Sequence, residues 1–212
     1  MKLTVFGASG GIGGHVVHQA LDAGHQVSAV VRDPARLTLR RPGLELVTVR
    51  GLDDVRAVAA ALAGSDAALS AVGPRKRKDG PVASSATRGI LQGFAVSGAR
   101  RFVAVSAAPV GAVPDGDSFL NRRILMPFIG LLLHDVYADL SLMEEEIRQS
   151  STDWTVLRPP KLVNRPLTGR YRTAVGSNVP RGLFISRADA AHAMLAALAN
   201  AATVGEPLGI AY

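Results

Sequence analysis

The chain has 212 residues, enough for one α/β domain with a sizeable core. With 48% hydrophobic residues it is no disordered tail, and with no cysteine it has neither a disulfide framework nor thiol chemistry. Its net charge of +7 suits anionic ligands such as phosphates; no aromatic-interleaved basic ladder or recognition-helix pattern points to nucleic acid.

Nothing at the start reads as a secretory leader, because Lys2 is followed by a short apolar run and then glycines. No apolar stretch approaches the roughly 20 residues a membrane-spanning helix needs. The lack of cysteine fits a reducing compartment, so the expected location is cytoplasmic, with no membrane partner.

Lys2 to Phe6 predicts a buried strand. Gly7-Ala8-Ser9-Gly10-Gly11-Ile12-Gly13 follows, then a helix over His15 to Leu21 with Ile12, Val16, Val17, Ala20 and Leu21 on one side. Glycines at 7, 10 and 13 allow a tight strand-to-helix turn and a close approach of backbone to a diphosphate. The helix start offers unpaired N–H groups and a positive dipole end to that anion. Gly7, Ser9, Gly10, Gly11, Ile12 and Gly13 are therefore candidate nucleotide-binding residues.

Gln26 to Val31 is the second strand, closing in Arg32-Asp33-Pro34. In a dinucleotide fold this position meets the adenosine ribose, where an acid takes the 2′-hydroxyl and an arginine suits a 2′-phosphate. Arg32, with Arg36 one turn on, therefore favours NADP over NAD, while Asp33 before Pro34 reads as an N-cap. Leu44 to Val49 is a third strand, and Asp54 is expected to cap a helix over Val55 to Ala63. Asp53 fits either the adenine amino group or the turn into that helix.

Ala67 to Val72 is the fourth strand; Ala71, Val72 and Gly73 at its carboxyl end are candidate neighbours of the cofactor. The basic run Arg75 to Lys78 reads as a solvated loop, with anion attraction as its functional alternative. A helix over Ser85 to Gly98 and a fifth strand over Arg101 to Val105 follow, with Ser106 at the strand's end. Ala108 to Asp117 is a loop, and Ile124 to Leu133 is an apolar lip interrupted by Pro127 and Gly130. A helix over Val136 to Gln149, with Glu144, Glu145 and Glu146 on its solvated part, leads to a sixth strand over Trp154 to Leu157. Arg158-Pro159-Pro160 closes that strand; with the apolar lip it can form a stacking floor. Leu183 to Ile185 is a short strand, after which Ser186 and Asp189 form a capping box on a helix running to Asn200. Alternating strands and helices predict an α/β fold: a single-domain, Rossmann-like, doubly wound, mainly parallel sheet with helices on both faces.

In this order, Gly7-Ala8-Ser9-Gly10-Gly11-Ile12-Gly13, Val31-Arg32-Asp33-Pro34, Ala61 to Asp66, Arg101 to Ser106, Asp153 to Pro159, Leu167 to Tyr171 and Ile185 to Asp189 resemble the short-chain dehydrogenase/reductase superfamily. The likeness is closest to its atypical branch of small NAD(P)H-binding proteins, which holds NmrA-like proteins, NADH-flavin reductase-like proteins and the biliverdin reductase B type. It covers nearly the whole chain, and implies one NAD(P)-binding domain over residues 1–212, with a substrate cleft contributed mainly by residues 106–185.

One departure stands out. The superfamily's proton donor is a Tyr-x-x-x-Lys pair on the helix before the sixth strand. Counted back from Trp154, its tyrosine position falls on Val136 and its lysine position on Leu140. The neighbouring Tyr137 is the remaining candidate acid, though no lysine is there to tune it. Ser106 matches the superfamily's serine and is the other candidate catalytic residue, able to hold a carbonyl or the nicotinamide. Pro159 completes the cofactor-binding set. The leading expectation is an NAD(P)H-dependent reductase of a flavin-like, conjugated or carbonyl acceptor; the alternative is a non-catalytic NADP-binding sensor of the NmrA type. The expected partner is a small molecule, and the sequence leaves monomer and homodimer both open.

Overall fold

A computed structural model describes residues 1–74, 79–112 and 134–212 of the chain. Strands β1 (Lys2–Phe6), β2 (Gln26–Val31), β3 (Leu44–Thr48), β4 (Ala67–Ser70), β5 (Arg101–Val105) and β6 (Asp153–Arg158) run parallel in one sheet. Two later strands extend it: β10 (Glu206–Ala211) lies parallel to β6, and β8 (Arg172–Val175) lies antiparallel to β10 at the edge. The order β3-β2-β1-β4-β5-β6-β10-β8 makes eight strands, and β7 (Lys161–Val163) with β9 (Phe184–Ser186) forms a separate parallel pair. The chain winds outward in one direction from β1 to β3 and in the other from β4, so the order reverses between β1 and β4. In such sheets a ligand crevice opens at that reversal, beyond the carboxyl ends of the strands.

Alternate residues of each strand feed two apolar layers. Leu3, Val5, Val27, Ala29, Leu69 and Val103 face helices α1 (Gly11–Asp22) and α5 (Arg187–Leu198). Phe6, Val30, Ala68, Phe102, Ala104 and Val156 face α2 (Val55–Leu62), α3 (Val82–Ser97) and α4 (His134–Arg148). Ile12, Val16, Val17, Ala20 and Leu21 are all buried, as the helical spacing predicts.

Several boundaries differ from the sequence reading. Helix α1 begins at Gly11, inside the glycine run, with Gly10 as its extended N-cap residue. Asp33 caps only one 3-10 turn (Pro34–Arg36), accepting from Ala35 N–H at 3.0 Å. Helix α3 begins at Val82, earlier than Ser85, because its cap comes from another helix: Asp139 accepts from Ala83 N–H at 2.8 Å and Ser84 N–H at 3.0 Å. Glu144 is not solvated; it is buried and takes a fork of two bonds from Arg158 at 3.1 and 2.5 Å. Arg158 is thus tied to α4. The runs Arg75 to Lys78 and Ile124 to Leu133 lie outside the described residues.

Candidate functional site

Every predicted site residue except Tyr137 lies at or just beyond the carboxyl end of a parallel strand. Gly7 leaves β1 at φ +75°, in the left-handed region that favours glycine, and a Cβ there would lie 2.7 Å from Ala71 O at the end of β4. Ala71 N–H donates to Phe6 O at 3.0 Å, so the two strands stay paired up to the reversal point. A Cβ on Gly13 would fall 2.1 Å from Gly7 O, closer than any side chain can sit; this glycine lets α1 press on the loop. Gly10 N–H donates to Gly7 O at 2.9 Å and Gly14 N–H to Gly10 O at 2.9 Å. The N–H groups of Gly11, Ile12 and Gly13 lie between those two bonds, and the cap residue Gly10 has no side chain to meet them.

Among the helices whose starts are described, that bare end is particular to α1. Asp54 caps α2, accepting from Ala57 N–H at 3.1 Å; Asp139 caps α3; Ser186 caps α5, accepting from Asp189 N–H at 2.9 Å. The uncapped end of α1 retains its positive dipole for an external anion. Ile12 contributes only backbone, since its side chain is in the core. Ser9 stands half-buried in the same loop.

At the end of β2, Val49 N–H donates to Val31 O at 3.0 Å, which makes Arg32 and Arg50 the next residues of two paired strands. Arg32, Arg36 and Arg50 are exposed, and none has a side-chain bond or ion pair among the described residues. Sequence reasoning missed Arg50; its signal was its place directly after the third strand. Asp53 is exposed, and its carboxylate folds back on Gly51, where a Cβ would lie 2.1 Å from Oδ1. Gly73 is exposed with open space where a Cβ would be, and Val72 packs partly against the α2–α4 layer.

Ser106 follows β5. Its N–H donates to Leu157 O at 2.7 Å, while its hydroxyl is buried with no hydrogen-bond partner among the described residues. Pro159 is buried and accepts from Ala108 N–H at 2.8 Å. Tyr137 sits away from this edge on α4, half-buried against the apolar layer, and burial pushes its hydroxyl pKa up. Val136 and Leu140, the superfamily's tyrosine and lysine positions, belong to that same layer.

The far side of the crevice is tied together by Asp189, which is fully buried. Its carboxylate accepts from Thr168 N–H and Oγ1 at 3.0 Å each, Gly169 N–H at 2.8 Å, Ser186 Oγ at 2.9 Å and Tyr212 Oη at 2.5 Å. The expected capping box is therefore half closed: Ser186 N–H donates instead to Tyr212 Oη at 3.2 Å. Burial alone raises this carboxyl's pKa; the bonds from Tyr212, Gly169, Thr168 and Ser186 outweigh it and lower the pKa to about 2. Nearby, Tyr171 Oη lies 2.7 Å from His192 Nδ1, and burial, with the Asp189 charge, pushes its pKa up to about 12.

A reversal-point crevice, a close-packed glycine loop and an uncapped helix start are the features of a Rossmann-type fold. A sequence profile of the NAD(P)H-binding family matches residues 7–201, and the chain belongs to that family. Solved structures with the same fold include the oxidoreductase ylbE from Lactococcus lactis, 15% identical at a TM-score of 0.81, covering 100% of this chain and 90% of that one. ChuY, an anaerobillin reductase from Escherichia coli O157:H7, is 24% identical at a TM-score of 0.76, covering 100% and 97%. A short-chain dehydrogenase/reductase from Veillonella parvula is 15% identical at a TM-score of 0.74, covering 99% and 93%. Among the described residues no helix is long and apolar enough to cross a membrane.

Proposed function

We propose that the chain is an NADPH-dependent reductase of a flat, conjugated acceptor bound beside Ser106. The observation that carries this reading is the buried, unpartnered Ser106 hydroxyl at the crevice edge of β5. A buried hydroxyl without a partner is costly, and a ligand's carbonyl or amide group would relieve that cost. When bound, the dinucleotide supplies a hydride from its nicotinamide ring. The glycine loop and the start of α1 hold the diphosphate, while Arg32 and Arg50 hold the 2′-phosphate. Ser106 fixes the reacting groups, and the accompanying proton comes from solvent or from the acceptor's own nitrogen. Tyr137 is a poor acid here, because burial raises its pKa and no lysine stands beside it.

Loss of absorbance at 340 nm from NADPH, followed with flavin, quinone and open-chain tetrapyrrole acceptors, tests this. The tetrapyrrole belongs in the panel because ChuY is an anaerobillin reductase. Ser106→Ala should lower kcat on the best acceptor by about tenfold or more while leaving the NADPH dissociation constant unchanged. Tight NADPH binding with no turnover of any acceptor would replace this reading with the second, a dinucleotide-binding regulator. That second reading is favoured by the apolar layer filling the Tyr/Lys positions.

A further inference from the structure

The side chain of Arg187 crosses the glycine loop. A Cβ on Gly11 would lie 2.8 Å from Arg187 Cδ and 3.0 Å from its Nε, so this arginine rests on the first residue of α1. Its Nη1 donates to Asn164 Oδ1 at 2.7 Å, and among the described residues no carboxylate lies within ion-pair distance of it. Arg187 is itself the first residue of α5, which packs beside α1; Gln19 Nε2 donates to Ala188 O at 2.9 Å. A cation is therefore held at the uncapped N-terminus of α1, where the dipole disfavours it. The start of α5 is answered by Asp189 in its own first turn, but that carboxylate is taken up by Thr168, Gly169, Ser186 and Tyr212, so the guanidinium and the bare start of α1 meet with no anion between them among the described residues.

We infer that Arg187 is a cofactor-binding residue that clasps the diphosphate of the dinucleotide from above the glycine loop, with Asn164 as its positioning residue. This rests on the dinucleotide reading above and adds a group to it. The diphosphate, lodged at the N–H groups of Gly11 to Gly13, supplies the negative charge that the juxtaposition lacks. A guanidinium suits the task, since its planar fork meets phosphate oxygens while one nitrogen stays on Asn164. Gly11 is then needed because any side chain would push the arginine off the loop. Arg187 acts on the part shared by NADPH and NADH, whereas Arg32 acts on the part that differs.

Calorimetric titration of NADPH and of NADH into wild type, Arg187→Gln, Arg187→Lys, Asn164→Ala and Arg32→Ala tests the assignment. Arg187→Gln should weaken both dinucleotides by the same factor, about tenfold or more for a lost charge-assisted contact. Arg187→Lys should recover part of that loss, and Asn164→Ala should show a smaller loss, again equal for the two. Affinity should fall less steeply with added salt in Arg187→Gln than in wild type, a change that a merely structural role would not produce. Thermal melts of the free proteins show that each variant is folded; the lysine variant serves if the glutamine variant is not. Wild-type affinity in Arg187→Gln overturns the assignment, as does a loss confined to NADPH. If wild type binds neither dinucleotide, the underlying reading fails too, and the two failures are thereby told apart.

Discussion

Arg32 and Asp189 represent two kinds of charged residue, one facing outward and one enclosed. Arg32 has no side-chain partner among the described residues at the end of β2, so its exchange for alanine should not disturb the fold. Arg32→Ala should raise the Michaelis constant for NADPH by about tenfold or more, the worth of a phosphate contact, and leave that for NADH nearly unchanged; equal effects would remove Arg32 from the 2′-phosphate. Asp189 is read through pH. Its folded pKa, about 2, is below the ordinary 3.8, so its contribution is fully present above pH 4 and is lost as pH falls through 2. That contribution is about 2 kcal/mol. Acid melts should therefore show Asp189→Asn less stable than wild type at pH 7, with the gap closing towards pH 2. Glycine spacing and an arginine after a strand are local signals, and so Gly7 to Gly13 and Arg32 stand out as candidates from the sequence alone. Arg187 and Asp139 were not legible, because each acts on a helix far away in the chain, which spacing along one element does not record.

At the scale of elements, helix ends and helix faces were read unevenly. The caps from Asp54 and Ser186 lie next to their helices and were visible in advance. The cap on α3 was not, since Asp139 is separated from Ala83 by 56 positions. Asp139→Ala leaves the N–H groups of Ala83 and Ser84 and the Ser84 hydroxyl without an acceptor. It should cost about 2–3 kcal/mol, read as a lowered midpoint in urea; an unchanged midpoint would mean that water takes over the cap. The same helix shows why α2 and α3 lie so close. A Cβ on Gly89 would meet Leu52 O at 1.7 Å and one on Gly93 would meet Val58 Cγ1 at 2.5 Å. Two glycines four apart make a flat groove on α3, a pattern that reads in sequence as a mere loss of helix propensity.

For the molecule as a whole, the alternation of strands and helices was enough to foresee a doubly wound, mainly parallel sheet. It was not enough to foresee β8 and β10. In β10 the run Glu206-Pro207-Leu208-Gly209-Ile210-Ala211 carries a proline and a glycine, which mask a strand pattern. Gly209 is required because a Cβ there would lie 2.4 Å from Ser177 O. β8 is a short, mostly exposed edge strand and has little apolar signal to give. Dinucleotide binding should stabilise the fold, because it engages loops from both sides of the β1–β4 reversal. At a hundredfold excess of NADPH over its dissociation constant, the gain is about 2.7 kcal/mol, seen as a raised melting temperature. No shift with NADPH would mean that the crevice takes another ligand.

The late position of β10 also bears on how the chain is made. Strands β1 to β5 occupy neighbouring places in the sheet and emerge first from the ribosome, so the nucleotide half can assemble during synthesis. The other half cannot. Asp189 waits for Tyr212, and Arg172 reaches Tyr212 O at 2.6 Å only once the last strand has docked. A nascent chain therefore passes through a stage at which the glycine loop and the β1–β4 reversal are in place while Asp189 and the β6–β10–β8 side of the sheet still await their partners.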